Sequence, residues 1–278
     1  MNTHRGSAAF GAALGSALLL ALGVNANAAD IYDYESGLKG GYDVPPPPPP
    51  SNRGIYLKGF IGQANPDVGN IHTEAYDTNT FSVYHKDIKS SPLFGIGIGW
   101  QRNHWLRFDG TFEYRGDAVF AAQDSYPGGV GFGAGTNEYQ ADVKSWLGLA
   151  NVYWDIYNWC GITPYVGAGI GWATISVEGL RDINTVQGAT FYAADKTQTN
   201  FAWALYAGAS IDVSPQVALD LSYRYADLGN AKTGIASDPT GVSPSYSGVN
   251  IRDITSNDFL LGVRYKFDSP APVAYAVK

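Results

Sequence analysis

The stretch "LRFDGTFEYRG", Leu106 to Gly116, alternates without a break. Leu106, Phe108, Gly110, Phe112 and Tyr114 share one face, and Arg107, Asp109, Thr111, Glu113 and Arg115 share the other. A period of two belongs to a β-strand with two different surroundings. In a soluble sheet the apolar face meets a core and the charges meet water. In a membrane barrel the apolar face meets lipid and the charges point into the lumen. The rest of the chain discriminates between the two.

Seven more segments alternate in the same way: 54–63, 93–101, 145–156, 162–173, 200–213, 216–226 and 258–267, with the quoted strand spanning 105–115. Ten residues rising about 3.3 Å each, tilted about 40°, span roughly 25 Å, the height of a barrel's apolar band. The connections alternate in length. Long stretches (64–92, 116–144, 174–199, 227–257) follow the odd segments, and short turns ("RNH", "YNWCG", "SP") follow the even ones. This predicts an all-β fold, an eight-stranded antiparallel up-and-down transmembrane β-barrel over residues 54–267. An even strand number puts both ends on the periplasmic, short-turn side.

One parity in each segment is free of charge. The other carries Lys58, Arg107, Arg115, Arg224, Arg264 and Lys266 against Asp109, Glu113, Asp155, Asp212, Asp220 and Asp258. The fourth segment is the least regular, because Leu147 and Leu149 share the charged face. Trp100, Trp154 and Phe267 fall near the short turns, and Trp172, Trp203 and Tyr225 near the long loops. Two belts of amphipathic rings at two depths are what the interfaces of a bilayer select. A soluble core, as in a lipocalin-like barrel, has no reason to place rings at both rims. The apolar face therefore reads as lipid-facing and the twelve charges as a luminal network. Six cations against six anions favour mutual pairing over an ion-selective pore. Eight strands leave an interior that side chains can fill.

Beyond residue 28 no apolar run reaches the roughly 20 residues of a membrane helix. Residues 1–28 read as a signal peptide: Arg5, an apolar stretch, then Ala26 and Ala28 at the cleavage positions. Residues 29–53 form a periplasmic Pro-rich linker with six consecutive prolines, and residues 268–278 a C-terminal tail. Cys160, the only cysteine, excludes an internal disulfide. It reads as a packed, inert residue, the alternative being a reactive thiol.

Catalysis by a hydrolytic barrel requires a base beside a nucleophile. His72 and His85 fall in the first long stretch and His104 in a short turn, none of them within a strand segment. No third metal ligand accompanies them, so catalytic, cofactor and metal sites are all expected to be absent. The glycines of "GIGIG" (Gly95–Gly99) lack the context of a phosphate loop and give space to large luminal partners. The four long stretches carry the whole net charge of −7. Acidic outer stretches argue against nucleic acid as a partner.

The segment "ANVYWDIYNWCGITPYVGAGIGWA" resembles a pattern of the small outer-membrane β-barrel surface-antigen proteins of α-proteobacteria, relatives of the OmpA-type barrel. The matching residues are Asn151, Tyr153, Asp155, Thr163, Pro164, Tyr165, Gly167, Gly169 and Gly171. The resemblance implies a cell outer membrane location, a monomer, and contact with outer-membrane lipids, lipopolysaccharide and the barrel-assembly machinery. It implies envelope integrity and surface display rather than catalysis. A small-solute porin and a lipid-modifying enzyme are the alternatives. Members of the resembled family can be joined to peptidoglycan through an N-terminal Ala-Asp, and Ala29-Asp30 matches that pair. Such barrels usually finish on an aromatic residue, whereas here eleven residues follow Phe267.

Overall fold

The computed structural model describes residues 54–73, 81–128, 133–186, 188–240 and 245–267. The signal peptide, the linker with Ala29 and the tail lie outside the described residues. Within them the chain is all β, with 12 strands and no helix. The strands are β1 (Gly54–Ala64), β2 (Pro66–His72), β3 (Ser82–Ile88), β4 (Ser91–Gln101), β5 (Leu106–Tyr126) and β6 (Gly135–Asp155). They continue with β7 (Ile162–Asn184), β8 (Thr190–Ala193), β9 (Lys196–Asp212), β10 (Val217–Lys232), β11 (Ala236–Ser237) and β12 (Asn250–Phe267).

All pairings are antiparallel. β1 pairs with β4 and β12, β5 with β4 and β6, β7 with β6 and β9, and β10 with β9 and β12. Followed from strand to strand, these pairings return to β1. In hydrocarbon an open sheet edge would leave backbone groups without partners, which a returning path avoids. The first and last of these strands meet at one rim, where Ile55 pairs with Phe267.

The sheet has 12 strands where the sequence suggests eight. The extra ones lie in the stretches read as loops: β2 pairs with β12, β3 with β5, β8 with β7 and β11 with β8. Several main strands also run far past the predicted ends. At about 3.3 Å per residue and a tilt of about 40°, the 23 residues of β7 rise roughly 58 Å, about twice an apolar band.

The reason lies in a change of polarity along the strands. Up to Tyr114, Trp146 and Trp172 the outward side chains are apolar. Past them the outward positions carry Asp117, Lys144, Glu178, Thr197 and Thr199, while the inward ones carry buried Ala118, Phe120, Val143, Ile175 and Val177. This upper part is a water-facing cap with its own apolar core. Bulges help to build it. The register of β5 with β6 breaks between Arg115 and Ala118, so the inward parity passes from odd to even residues. Gly229 in β10, at φ 79°, does the same where Leu228 and Ala231 both point inward. A single period carried from the membrane part would put these side chains on the wrong face.

Candidate functional site

The interior is layered from the short-turn rim upward. At the rim lies an open cavity of ≈ 430 Å³ lined by Gln101, Asp155, Thr163, Ser210, Arg264 and Lys266 among others. Lys266 meets Asp212 there at 3.3 Å, with the Asp212 side chain partly exposed. Next, Arg107 donates through Nε and Nη2 to Asp155 Oδ1 at 2.9 and 2.7 Å. Its partner is neither Asp109 nor Glu113, its neighbours along β5. The register pairs Arg107 with Tyr153, which brings Asp155, two residues on in β6, into reach of the guanidinium. That guanidinium also lies over the rings of Tyr153 and Tyr165, at 5.0 and 4.7 Å. Arg264 donates to Ser210 at 2.5 Å and Asp220 at 3.3 Å and lies over Tyr56.

Midway, Lys58 is held over the rings of Phe60 and Tyr153, at 5.6 and 5.3 Å. Asp109 accepts hydrogen bonds from Asn151 Nδ2 (2.7 Å), Tyr56 (3.1 Å) and Tyr153 (3.4 Å). Neutral donors thus solvate this carboxylate in place of water.

Above them four charges close on one another. Arg224 Nη1 and Nη2 grip the Glu113 carboxylate in a fork, each at 2.7 Å. Arg224 Nε and Nη2 also donate to Asp258 Oδ2, at 2.9 and 2.7 Å. Arg115 joins the same two acids, through Nε to Glu113 at 2.9 Å and Nη2 to Asp258 at 2.7 Å. Glu113 and Arg115 come from β5, Arg224 from β10 and Asp258 from β12, so the group ties two separate walls together. Its net charge is zero, and each member is at most 3% exposed. A void of ≈ 20 Å³, large enough for about one water, lies beside Arg115 and is lined by Ala118, Val143, Ile175 and Leu228 of the cap.

The inward glycines make room for this packing, and they do so beside their register partners. A Cβ at Gly99 would fall 2.2 Å from the ring of Tyr56, its partner on β1. One at Gly167 would fall 2.4 Å from Tyr153, its partner on β6. Leu147 and Leu149 are buried within this interior.

Outside, Trp100, Trp154 and Phe267 are exposed at the short-turn end, and Trp172 at the other. Trp203 and Tyr225 meet near it with their rings tilted 50° to one another, at 5.6 Å between ring centres. The sequence reading omitted Trp105, Tyr157 and Trp159, all exposed around the short turns. Tyr157 and Trp159 lie in a turn, off the period of two, and Trp105 falls on the charged parity of its segment. Cys160 is exposed in the same turn at φ 51°, which corrects the packed reading. His72 ends β2 and His85 lies exposed in β3, so two of the histidines read as loop residues lie in strands. Among the described residues no group of three or more His, Cys, Asp or Glu is arranged to hold a metal ion.

In the cap, Asp182 accepts a hydrogen bond from Tyr246 at 2.7 Å, and its Oδ1 is buried without a partner among the described residues. Burial pushes its carboxyl up to about 6, against the Tyr246 hydrogen bond and with help from the nearby Asp124. Asp124 accepts from Tyr139 and Asn137 at 2.9 and 3.0 Å.

A family model described as the outer membrane protein beta-barrel domain matches residues 14–267. The chain belongs to that family. An uncharacterised protein of Brucella melitensis is 29% identical over 77% of this chain and 85% of its own length. Outer membrane protein PagN of Salmonella typhimurium is 24% identical over 78% of this chain and 91% of its own. The crystal structure of outer membrane protein OprG from Pseudomonas aeruginosa has a TM-score of 0.52 and 12% identity, covering 79% of this chain and 98% of that one. As a member of the outer-membrane β-barrel family, the protein resides in the Gram-negative outer membrane.

Proposed function

We propose that the strands on the returning path form an eight-stranded up-and-down transmembrane barrel without enzymatic activity. It would stabilise the outer envelope, contact outer-membrane lipids and lipopolysaccharide, and hold its cap on the cell surface. The observation that carries this reading is the buried group of Glu113, Arg115, Arg224 and Asp258. It joins β5 to β10 and β12 across the interior, and apolar side chains are packed beyond it. A pore needs a continuous wet path, and a neutral, fully paired cluster under an apolar core offers none. This weighs against the small-solute porin. Against a lipid-modifying enzyme stand the exposed positions of His85 and His104, one in β3 and one in a short turn. The test is conductance of the purified protein in planar bilayers. The expected result is no stable unitary current, and a large stable current would favour the porin.

A further inference from the structure

Polar atoms are not matched equally well throughout the interior. Arg115 and Arg224 each bond through all three guanidinium nitrogens. Arg264, 3% exposed, bonds through Nη2 alone, to Ser210 and, at 3.3 Å, to Asp220 Oδ1. Its Nε and Nη1 are buried without an acceptor among the described residues, and Asp220 Oδ2 is buried without a donor. Gln101, 7% exposed, has an unpaired Oε1. Arg264 comes from β12 and Gln101 from β4, and both line the rim cavity of ≈ 430 Å³. A buried polar atom without a partner is costly, and more so on a charged group. The cavity is the space from which partners can come.

We propose that the rim cavity binds a small zwitterion carrying a carboxylate and an ammonium group. Held through Nη2 alone, the Arg264 guanidinium can turn its other two nitrogens toward the cavity and donate them to the carboxylate. The ammonium donates to Gln101 Oε1, with Asp220 Oδ2 as the second unpaired acceptor. The acids that line the cavity are already engaged: Asp155 accepts from Arg107, and Asp212 from Lys266 and Asn158. The spare donors therefore belong to Arg264. Charge balance selects a zwitterion over a simple anion. The twelve luminal charges are balanced, and so are Glu113, Arg115, Arg224 and Asp258 above, so the charges below that group also sum to zero. A lone carboxylate would add an uncompensated charge to this interior, whereas a zwitterion adds none. Water can bridge such atoms, but bonds from a guanidinium to a carboxylate are charge-assisted and stronger. The volume suits a small molecule.

The test is titration of the full chain in detergent micelles with glycine, followed by amide NMR shifts. Saturable shifts are expected at Thr163, Ser210 and Lys266 around the cavity, with none at Glu113 or Asp258. Acetate and methylammonium, each half of the zwitterion, should bind roughly tenfold or more weakly, as the loss of one or two hydrogen bonds requires. Arg264→Lys keeps the cation facing Asp220 but removes the spare guanidinium donors, and Gln101→Leu removes the acceptor at the rim. Each should weaken glycine several-fold, and heat-modifiable gel migration verifies that both variants fold. Absence of saturable shifts, meaning a cavity filled by water only, overturns the proposal. So does acetate binding as tightly as glycine, which marks a simple anion site, or glycine affinity unchanged in both variants.

Discussion

Arg224 shows how much one residue carries in this interior. It makes four charge-assisted hydrogen bonds to two carboxylates at a position 1% exposed. Replacing it with Met leaves Glu113 and Asp258 with Arg115 as their shared counter-ion and Ser256 as a neutral donor to Asp258. Breaking such a buried group costs about 3–5 kcal/mol. Urea unfolding in detergent micelles should show a loss of this size. Lys266→Met at the open rim should cost under about 1 kcal/mol, since its partner Asp212 is partly exposed. Equal losses at the two sites would mean that the upper group is not tightly coupled. The lipid face gives a second contrast. Leu221 is 60% exposed in the middle of the apolar band, and Leu221→Arg should cost roughly 2–4 kcal/mol. Thr163→Arg, beside the open rim cavity, should cost much less. Ser222, next to Leu221, is a poor control because it is buried beside Gly208. The reverse order in vesicle-based unfolding would sink the assignment of the two faces.

At the scale of elements, the cap behaves as a soluble sheet carried on membrane strands. Its polar interior group centres on Asp182, which is 6% exposed. The folded carboxyl titrates at about 6, above its usual value of 3.8. The folded state therefore holds this proton more tightly than the unfolded chain does. The stabilisation is complete below about pH 4 and is lost as pH rises through about 6, amounting to at most about 3 kcal/mol. Amide hydrogen exchange in the upper parts of β6 and β7, corrected for its intrinsic pH dependence, should thus be slower at pH 5 than at pH 7.5. Asp182→Asn should flatten the difference. Slower exchange at pH 7.5 in the unmodified protein would contradict the burial argument.

For the whole molecule, the decisive geometry is that β1 begins and β12 ends on the short-turn rim. With the cap outside the cell, that rim would face the periplasm. We propose a tether at Ala29 on the strength of the resemblance at Ala29-Asp30: the 25 residues 29–53, six of them consecutive prolines, are long enough to span from bilayer to wall. Digestion of purified sacculi with muramidase should release muropeptides joined to the Ala29 amine. Recovery of a free Ala29 amine alone, with all the protein extracted by hot detergent, would exclude the tether.

The membrane half of the fold was legible in the sequence because a bilayer imposes a simple rule. Every strand that crosses it must alternate, as Leu106 to Arg115 does, and the aromatic belts mark where the rule stops. The cap was not legible. Its interior is small and apolar, its exterior is mixed, and bulges at Gly116–Asp117 and Gly229 change the inward parity, so no single period survives. The site divides in the same way. The sequence could list twelve charges on one parity, since parity is local. Which charge meets which depends on register and on walls brought face to face. Arg107 reaches Asp155 across a strand pair, and Arg224 reaches Glu113 from more than one hundred residues away. Arg224 and Glu113 are close only because the sheet returns on itself, and no pattern along the chain encodes that distance.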